Sequence, residues 1–400
     1  MGKADARIPE LDGLRGIAIL LVLGWHFTGM LMDPSDGAVQ EIIWRFGIFG
    51  QSGVDLFFVL SGFLIVGIVV DNRTSPTLFR TFYARRALRI LPPYLLLVFS
   101  FAIASAIFGR TYYLGRDLPL WSLLTFSQNW VMSYIRDFGP AGISATWSLT
   151  IEEQFYLVAP AIIFFLPRRF LWPALIAVGL MSIAARSICF ALYPENVYAP
   201  YVLTPLRLDG LSAGGLIAIA YRSPKWSTIE SRKSLLLTAM IVLLGIAPFY
   251  TWFLHSEIAH QVLYHFGHSY LTVLYSLALL NILTRSGTVA TSWLRSPAMI
   301  GVGAISYSLY LFHTPFKGIF FIAAGHPESL RSWTDGLLLF LALLSTLAFC
   351  AALYWIVERP AQKLGKSFSY STTKSPCHRA CQKQERPFEL SQQTVDSPHQ

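Results

Sequence analysis

The sequence predicts an all-α polytopic membrane protein with about ten transmembrane helices and both termini in the cytoplasm. Three observations carry this. Hydrophobic residues make up 54% of the 400-residue chain and charged residues only 13%, about half the charged share of an average soluble domain. Apolar runs near twenty residues recur along the chain, enough to cross a ~30 Å hydrocarbon core. The alternating pattern of a membrane β-barrel is absent. The net charge of +9 falls in blocks between apolar runs, as topology requires, so it argues for no nucleic-acid partner.

In chain order the spans are expected at about 14–32, 50–70, 90–108, 146–166, 170–192, 203–221, 235–254, 263–284, 299–323 and 335–357. With the N-terminus inside, the cytoplasmic loops hold Arg73, Arg80, Arg85, Arg86 and Arg89, then Arg168 and Arg169, then Arg222, Lys225, Arg232 and Lys233. The outer loops hold fewer basic residues, which sets the orientation. The first run is too long and too polar for a signal peptide and is read as a retained span. Residues 1–364 form one integral-membrane domain. Residues 365–400, rich in Ser, Thr, Gln, Lys and Pro, are expected to form a disordered cytoplasmic tail. The longest outer segment, about 109–145, carries Tyr112, Tyr113, Trp121, Trp130 and Tyr134 and is long enough to shape a site. Cys189 and Cys350 lie in apolar runs, which argues against a disulfide framework. Cys377, His378 and Cys381 lack a fourth ligand at metal spacing, so no metal site is assigned.

The informative residues are those in the wrong solvent. Arg15 and His26 stand eleven positions apart on the first run. In a helix that is about 20° past three turns and ~16 Å along the axis. They therefore share one face, with His26 near the membrane middle. Asp55, Glu152, Glu153, Arg207, Asp209 and His313 fall at similar depths, compatible with one shared cavity. Ionisable groups at membrane depth are expected to be functional. The alternative for Asp55, Arg207 and Asp209 is structural pairing: Asp55 with Arg207, and Asp209 with Arg15. Histidine suits proton transfer near neutral pH. Glu152 and Glu153 point about 100° apart on a helix, so only one is expected to face the cavity.

The block Arg85-Arg86-Ala87-Leu88-Arg89 sits at the inner mouth. Arg86 and Arg89 share a helix face, and paired guanidinium groups suit phosphate oxygens. Topology signalling alone accounts for two of the three arginines. Anionic lipid head groups are the other ligand class that fits. Gly53 and Gly62 on the second span are read as sites of close helix approach.

These residues sit in stretches that together resemble acyltransferase family 3, the membrane-bound group that includes bacterial polysaccharide O-acetylases. The stretches are Leu11-Asp12-Gly13-Leu14-Arg15 with His26, Gly53-Val54-Asp55-Leu56-Phe57-Phe58, and Arg85-Arg86-Ala87-Leu88-Arg89. Further on are Thr146-Trp147-Ser148-Leu149 with Glu152-Glu153, then Arg207-Leu208-Asp209-Gly210, then Ser306-Tyr307-Ser308-Leu309-Tyr310 with His313, and Glu358-Arg359-Pro360. They run in order across nearly the whole membrane region. The resemblance implies an O-acyltransferase of the bacterial inner membrane. It would move an acyl group, usually acetyl, from cytosolic acetyl-CoA to a hydroxyl of a cell-surface or secreted glycan or lipo-oligosaccharide. On the same resemblance His26 is the central catalytic residue, supported by Arg15 and by Glu153 or Glu152. Arg85, Arg86 and Arg89 would meet the coenzyme A phosphates. Asp55, Arg207, Asp209, Tyr310 and His313 are further site candidates. Acetyl-CoA enters as a co-substrate, with no permanently bound cofactor, and membrane lipids surround the protein. The chain is similar to the stand-alone form, without an added extracytoplasmic domain. The rival reading from another class is a transporter or flippase of an anionic or glycolipid substrate, since intramembrane Arg, His and Glu serve transporters as well. Inverted repeats would favour it, and none is detected.

Overall fold

The computed structural model describes residues 8–109, 118–252, 257–325 and 328–371. Sixteen α-helices follow one another: α1 Pro9–Phe27, α2 Ala38–Ile48, α3 Gly53–Asp71, α4 Leu78–Phe108, α5 Leu120–Leu124, α6 Gln128–Ile135, α7 Thr146–Phe165 and α8 Arg168–Leu192. Then come α9 Tyr198–Val202, α10 Leu208–Tyr221, α11 Trp226–Ser231, α12 Lys233–Trp252, α13 Glu257–Thr284, α14 Pro297–Ala324, α15 Trp333–Leu353 and α16 Arg359–Ser367. Among the described residues there is no strand.

Seven helical segments among these residues are long and apolar enough to cross a membrane: Pro9–Leu31, Ala38–Asp71, Leu78–Phe108, Thr146–Phe165, Arg168–Leu192, His265–Thr284 and Trp333–Ser367. The chain is thus a multi-pass helical membrane protein. Three of the expected spans fall outside that set. The segment near 203–221 opens with short turns and leaves the 14-residue α10. The segment near 235–254 forms α12, Lys233–Trp252, with its apolar stretch over Lys233–Pro248. The third is α14, which is long but diluted by serines, tyrosines, His313 and Lys317.

Small residues set the closest crossings. A Cβ on Gly62 of α3 would lie 2.0 Å from the Leu211 carbonyl oxygen of α10, and one on Gly214 of α10 would lie 2.0 Å from the Val59 oxygen. A Cβ on Gly303 of α14 would lie 1.9 Å from the Asp12 oxygen of α1. Such contacts let backbones touch where burial in lipid gives no hydrophobic force between helices. They seat α3 on α10 and α14 on α1, and a Cβ on Gly53 of α3 would lie 2.4 Å from the Ala18 oxygen of α1, so α1 stands between two helices that also carry site residues. At its start α1 has Pro9 at the first helical position and Glu10 and Asp12 in the first turn, which suits the positive end of the helix. The Glu10 carboxylate is buried and accepts from Gly287 N–H at 2.8 Å and Ser286 Oγ at 3.1 Å.

Two boundaries move. The expected span at 90–108 extends back to Leu78, because the Arg-rich stretch is itself helical and runs through Pro92 and Pro93. Arg85, Arg86 and Arg89 therefore ride on the same helix as the apolar span. The helical chain continues past residue 364, where the membrane domain is expected to end. The chain is helical to Ser367, and Ser369 O accepts from the hydroxyls of Thr77 and Thr81 at 3.0 and 3.1 Å. The rest of that tail lies outside the described residues, as do Tyr112 and Tyr113 of the aromatic outer segment.

Candidate active site

The first cavity is lined with guanidinium and carboxyl groups. It measures about 730 Å³ to its open mouth and is walled by Arg15 of α1, Ser61 of α3, Arg86 and Arg89 of α4, Glu152, Glu153 and Tyr156 of α7, and Tyr307 and Tyr310 of α14. The 3-residue spacing of Arg86 and Arg89 puts both on one helix face. The Arg86 guanidinium lies 5.0 Å from the Tyr156 ring centre. Arg15 pairs with Asp12 at 2.8 Å. Arg85 points elsewhere. Its Nε donates to Phe368 O at 2.8 Å and its guanidinium lies 5.1 Å from the Tyr370 ring centre. It holds the segment after α16 and does not line the cavity.

Both adjacent glutamates line this cavity, where only one was expected to face it. The cavity spans more of the α7 surface than the ~100° between neighbouring residues. Their environments differ. Glu152 accepts from Ser61 Oγ at 2.7 Å and from Tyr156 OH at 3.0 Å. Glu153 Oε1 is buried without a protein partner, which leaves it as the carboxyl group free to meet a ligand.

His26 lines neither wall of that cavity. It faces a second cavity of about 1130 Å³ with Trp25, Gln51, Phe138, Trp147, Tyr198 and Tyr201. It also faces a third, of about 690 Å³, with Asp137, Thr314, Lys317 and Glu328. The second and third share His26, Met30, Phe138, Ser144 and Tyr198 and adjoin along them, together making up the histidine side. The expected single stripe from Arg15 to His26 is therefore divided between two sides. Val54 and Tyr310 line both the arginine side and the histidine side, so the two spaces abut there. Tyr310 OH donates to Ala145 O at 3.0 Å and also meets the Ser148 hydroxyl.

The geometry fixes the tautomer of His26. Its Nδ1 lies 2.9 Å from Val22 O. A carbonyl only accepts, so Nδ1 carries the hydrogen and Nε2 is the basic atom. The His313 ring is fully buried and packs edge to face on His26, with centroids 4.6 Å apart. Lys317 follows His313 by four positions on α14, is 2% exposed, and donates from Nζ to the His26 carbonyl oxygen at 3.1 Å. It also pairs with Glu328 at 3.3 Å.

Asp55, Arg207 and Asp209 line none of these three cavities. Asp55 pairs with Arg207 at 2.8 Å, one of the two structural pairings the sequence allowed. Asp209 does not meet Arg15. It pairs with Arg186 of α8 at 2.9 Å. His268 of α13 lies 3.3 Å from Asp55. Arg207 is packed among aromatic rings, its guanidinium 5.5 Å from Phe58, 5.7 Å from Trp147 and 5.5 Å from Tyr201. Since Trp147 and Tyr201 wall the histidine side, this network supports the site from behind.

Sequence reasoning missed Arg186, His268 and Lys317. Each lies inside an expected span, and the test that selected His26, an ionisable group at membrane depth, selects them too. Among the described residues no group of three or more His, Cys, Asp or Glu side chains is arranged to hold a metal ion.

A multi-pass helical protein with a half-buried imidazole facing one cavity and an arginine pair facing another is the class that these features define. The sequence profile of an acyltransferase domain family matches residues 8–355, and the chain belongs to that family, acyltransferase family 3. It is 26% identical over 378 residues to O-acetyltransferase OatA of Staphylococcus aureus (strain NCTC 8325 / PS 47), covering 91% of this chain and 58% of that protein. It is 26% identical over 323 residues to peptidoglycan O-acetyltransferase OatA of Listeria monocytogenes, covering 77% and 49%. It is 30% identical over 246 residues to a putative peptidoglycan O-acetyltransferase, YrhL, of Bacillus subtilis, covering 55% and 34%. The chain thus spans less than two thirds of the length of each of these relatives. No solved structure matches it.

Proposed function

We propose that the chain is an O-acyltransferase of the bacterial inner membrane, moving an acetyl group from cytosolic acetyl-CoA to a hydroxyl of a glycan or lipo-oligosaccharide. In this reading about ten spans cross the membrane with both termini inside, and the arginine side opens to the cytoplasm. The observation that carries it is the meeting of two chemically distinct cavities at Tyr310 and Val54. Arg86 and Arg89 on one side suit the phosphates of the coenzyme. His26 on the other side suits a hydroxyl. The names of the relatives as O-acetyltransferases support the same chemistry.

The reaction balances simply. The acceptor hydroxyl oxygen attacks the thioester carbonyl carbon as its proton passes to His26 Nε2. The C–S bond then breaks, and the coenzyme thiolate takes up a proton. The same atom could carry the acetyl group itself in a two-step route. Glu153 is placed to serve the donor side. The test is coenzyme A release and acetylated product by mass spectrometry, using the purified full chain with acetyl-CoA and oligosaccharide acceptors. Release that depends on acceptor and is lost in His26→Ala is expected. Substrate movement across liposomes with no acyl transfer from any CoA ester would establish the transporter reading instead.

A further inference from the structure

The polar end of the histidine-side space has no role in the reaction as written. Six side chains with hydrogen-bonding groups surround it beyond His26: Asp137, Ser144, Tyr198, Thr314, Lys317 and Glu328. Two of them carry buried atoms with no partner. Thr314 is 5% exposed, and its hydroxyl makes no hydrogen bond although it sits mid-helix. Glu328 Oε1 is buried and unpaired while Oε2 lies 3.3 Å from Lys317 Nζ. Buried polar atoms are nearly always satisfied, and leaving one unsatisfied costs its full desolvation. Two such atoms in the wall of one cavity indicate a ligand that supplies the missing partners.

The shape of the space narrows the ligand. Phe138 and Tyr198, packed with ring centroids 5.0 Å apart, line both the polar end and the aromatic end. The aromatic end adds Trp147 and Tyr201, with centroids 4.7 Å apart. A mostly apolar wall with a few convergent polar groups suits a ring that has one apolar face and a rim of hydroxyls. Charge narrows it further. One ammonium, Lys317, stands against two carboxyl groups, Asp137 and Glu328. On the arginine side three guanidinium groups stand against two carboxyl groups. The histidine side therefore offers no surplus positive charge to an anion.

We propose that Thr314 and Glu328, with Lys317 behind them, form the subsite that orients the acceptor beside His26, and that it takes the hydroxyl rim of an uncharged sugar ring. This rests on the acyltransferase reading above for the reaction, but the binding claim stands apart from it. Glu328 and Thr314 act here as specificity residues, and Lys317 as a positioning residue through the His26 carbonyl.

The test uses the purified full chain with acetyl-CoA and two acceptors of matched length, neutral cellotetraose and anionic tetragalacturonate. Cellotetraose should be acetylated in preference. Glu328→Gln and Thr314→Val should each raise its KM at least tenfold and leave the acetyl-CoA KM within twofold. Thr314→Ser, which keeps the hydroxyl, should restore the KM and so rules out misfolding. Preference for tetragalacturonate, or an acceptor KM within twofold of wild type in both variants, overturns the proposal. If neither sugar is acetylated, saturation-transfer NMR separates the two claims. Cellotetraose binding that is lost in Glu328→Gln and Thr314→Val upholds the subsite and counts against the transferase reading. No binding to wild type overturns the subsite.

Discussion

The imidazoles of His26 and His313 meet edge to face with ring centroids 4.6 Å apart, and each sets its Nδ1 against a main-chain carbonyl, Val22 O at 2.9 Å and Tyr310 O at 2.8 Å. Both rings therefore keep Nε2 as the basic atom. Only His26 lines the cavities. His26→Ala should lower acetyl transfer by about 10²–10⁴-fold, the usual contribution of a general base. His313→Phe keeps the edge-to-face packing but loses the Nδ1 hydrogen bond to Tyr310 O that orients the ring, and should lower kcat by about tenfold. Steady-state kinetics on the two variants checks this.

Arginines 85, 86 and 89 should separate cleanly in the same assay. Arg86→Ala or Arg89→Ala should raise the acetyl-CoA KM about tenfold or more, because a charge-assisted hydrogen bond contributes ~1.5–3 kcal/mol. Arg85→Ala should leave that KM unchanged. It should instead increase amide exchange of residues 368–371, which Arg85 holds through Phe368 O. Hydrogen-exchange mass spectrometry reads that loss directly.

Glu152 and Glu153 differ in their partners, so their variants should differ in kind. Glu153→Gln should reduce kcat/KM about 10²-fold with an unchanged unfolding midpoint. Ser61→Ala removes one of the two hydroxyls on Glu152 and should cost about 2 kcal/mol of stability, the range for a hydrogen bond to a charged group. Thermal unfolding in detergent compares them.

Asp55 and Arg207 form a pair that is nearly dry, at 7% and 1% side-chain exposure. Asp55→Asn or Arg207→Met alone leaves an uncompensated charge and should destabilise the fold by about 3–5 kcal/mol. The double substitution should be milder than the sum of the two. A double-mutant cycle on unfolding midpoints measures the coupling.

Helices and their order were legible in the sequence because apolar run length is a strong signal. His26 and the two glutamates were legible as ionisable groups in the wrong solvent, and Arg86 and Arg89 as a same-face basic pair at the inner mouth. What depth along a helix does not encode is which face meets which neighbour. Arg15 and His26 share a face by spacing, yet they line different cavities because Val54 and Tyr310 from other helices stand at the boundary. Asp209 found Arg186 and not Arg15 for the same reason: the pairing depends on how α8 packs on α10. Lys317 lies inside its expected span by the same criterion, but its contact with the His26 carbonyl depends on how α14 packs on α1.

Glu328 should make stability depend on pH. Burial outweighs the Lys317 ammonium 3.3 Å away and pushes the Glu328 carboxyl up to about 7. The folded chain then keeps a proton that the unfolded chain releases at the ordinary carboxyl range. Stability is therefore full below that range and falls as pH rises toward about 7. Unfolding midpoints between about pH 5 and 8 should decline in wild type. Glu328→Gln should flatten that part of the decline.

In the proposed reaction a donor side and an acceptor side meet at Tyr310. Proteoliposomes holding the protein in one orientation, with radiolabelled acetyl-CoA outside on the arginine side and cellotetraose sealed inside, test it directly. Label on the enclosed sugar, absent with His26→Ala, is the predicted result. Acetylation confined to sugar on the same side as the acetyl-CoA, or transfer undiminished in His26→Ala, would contradict it.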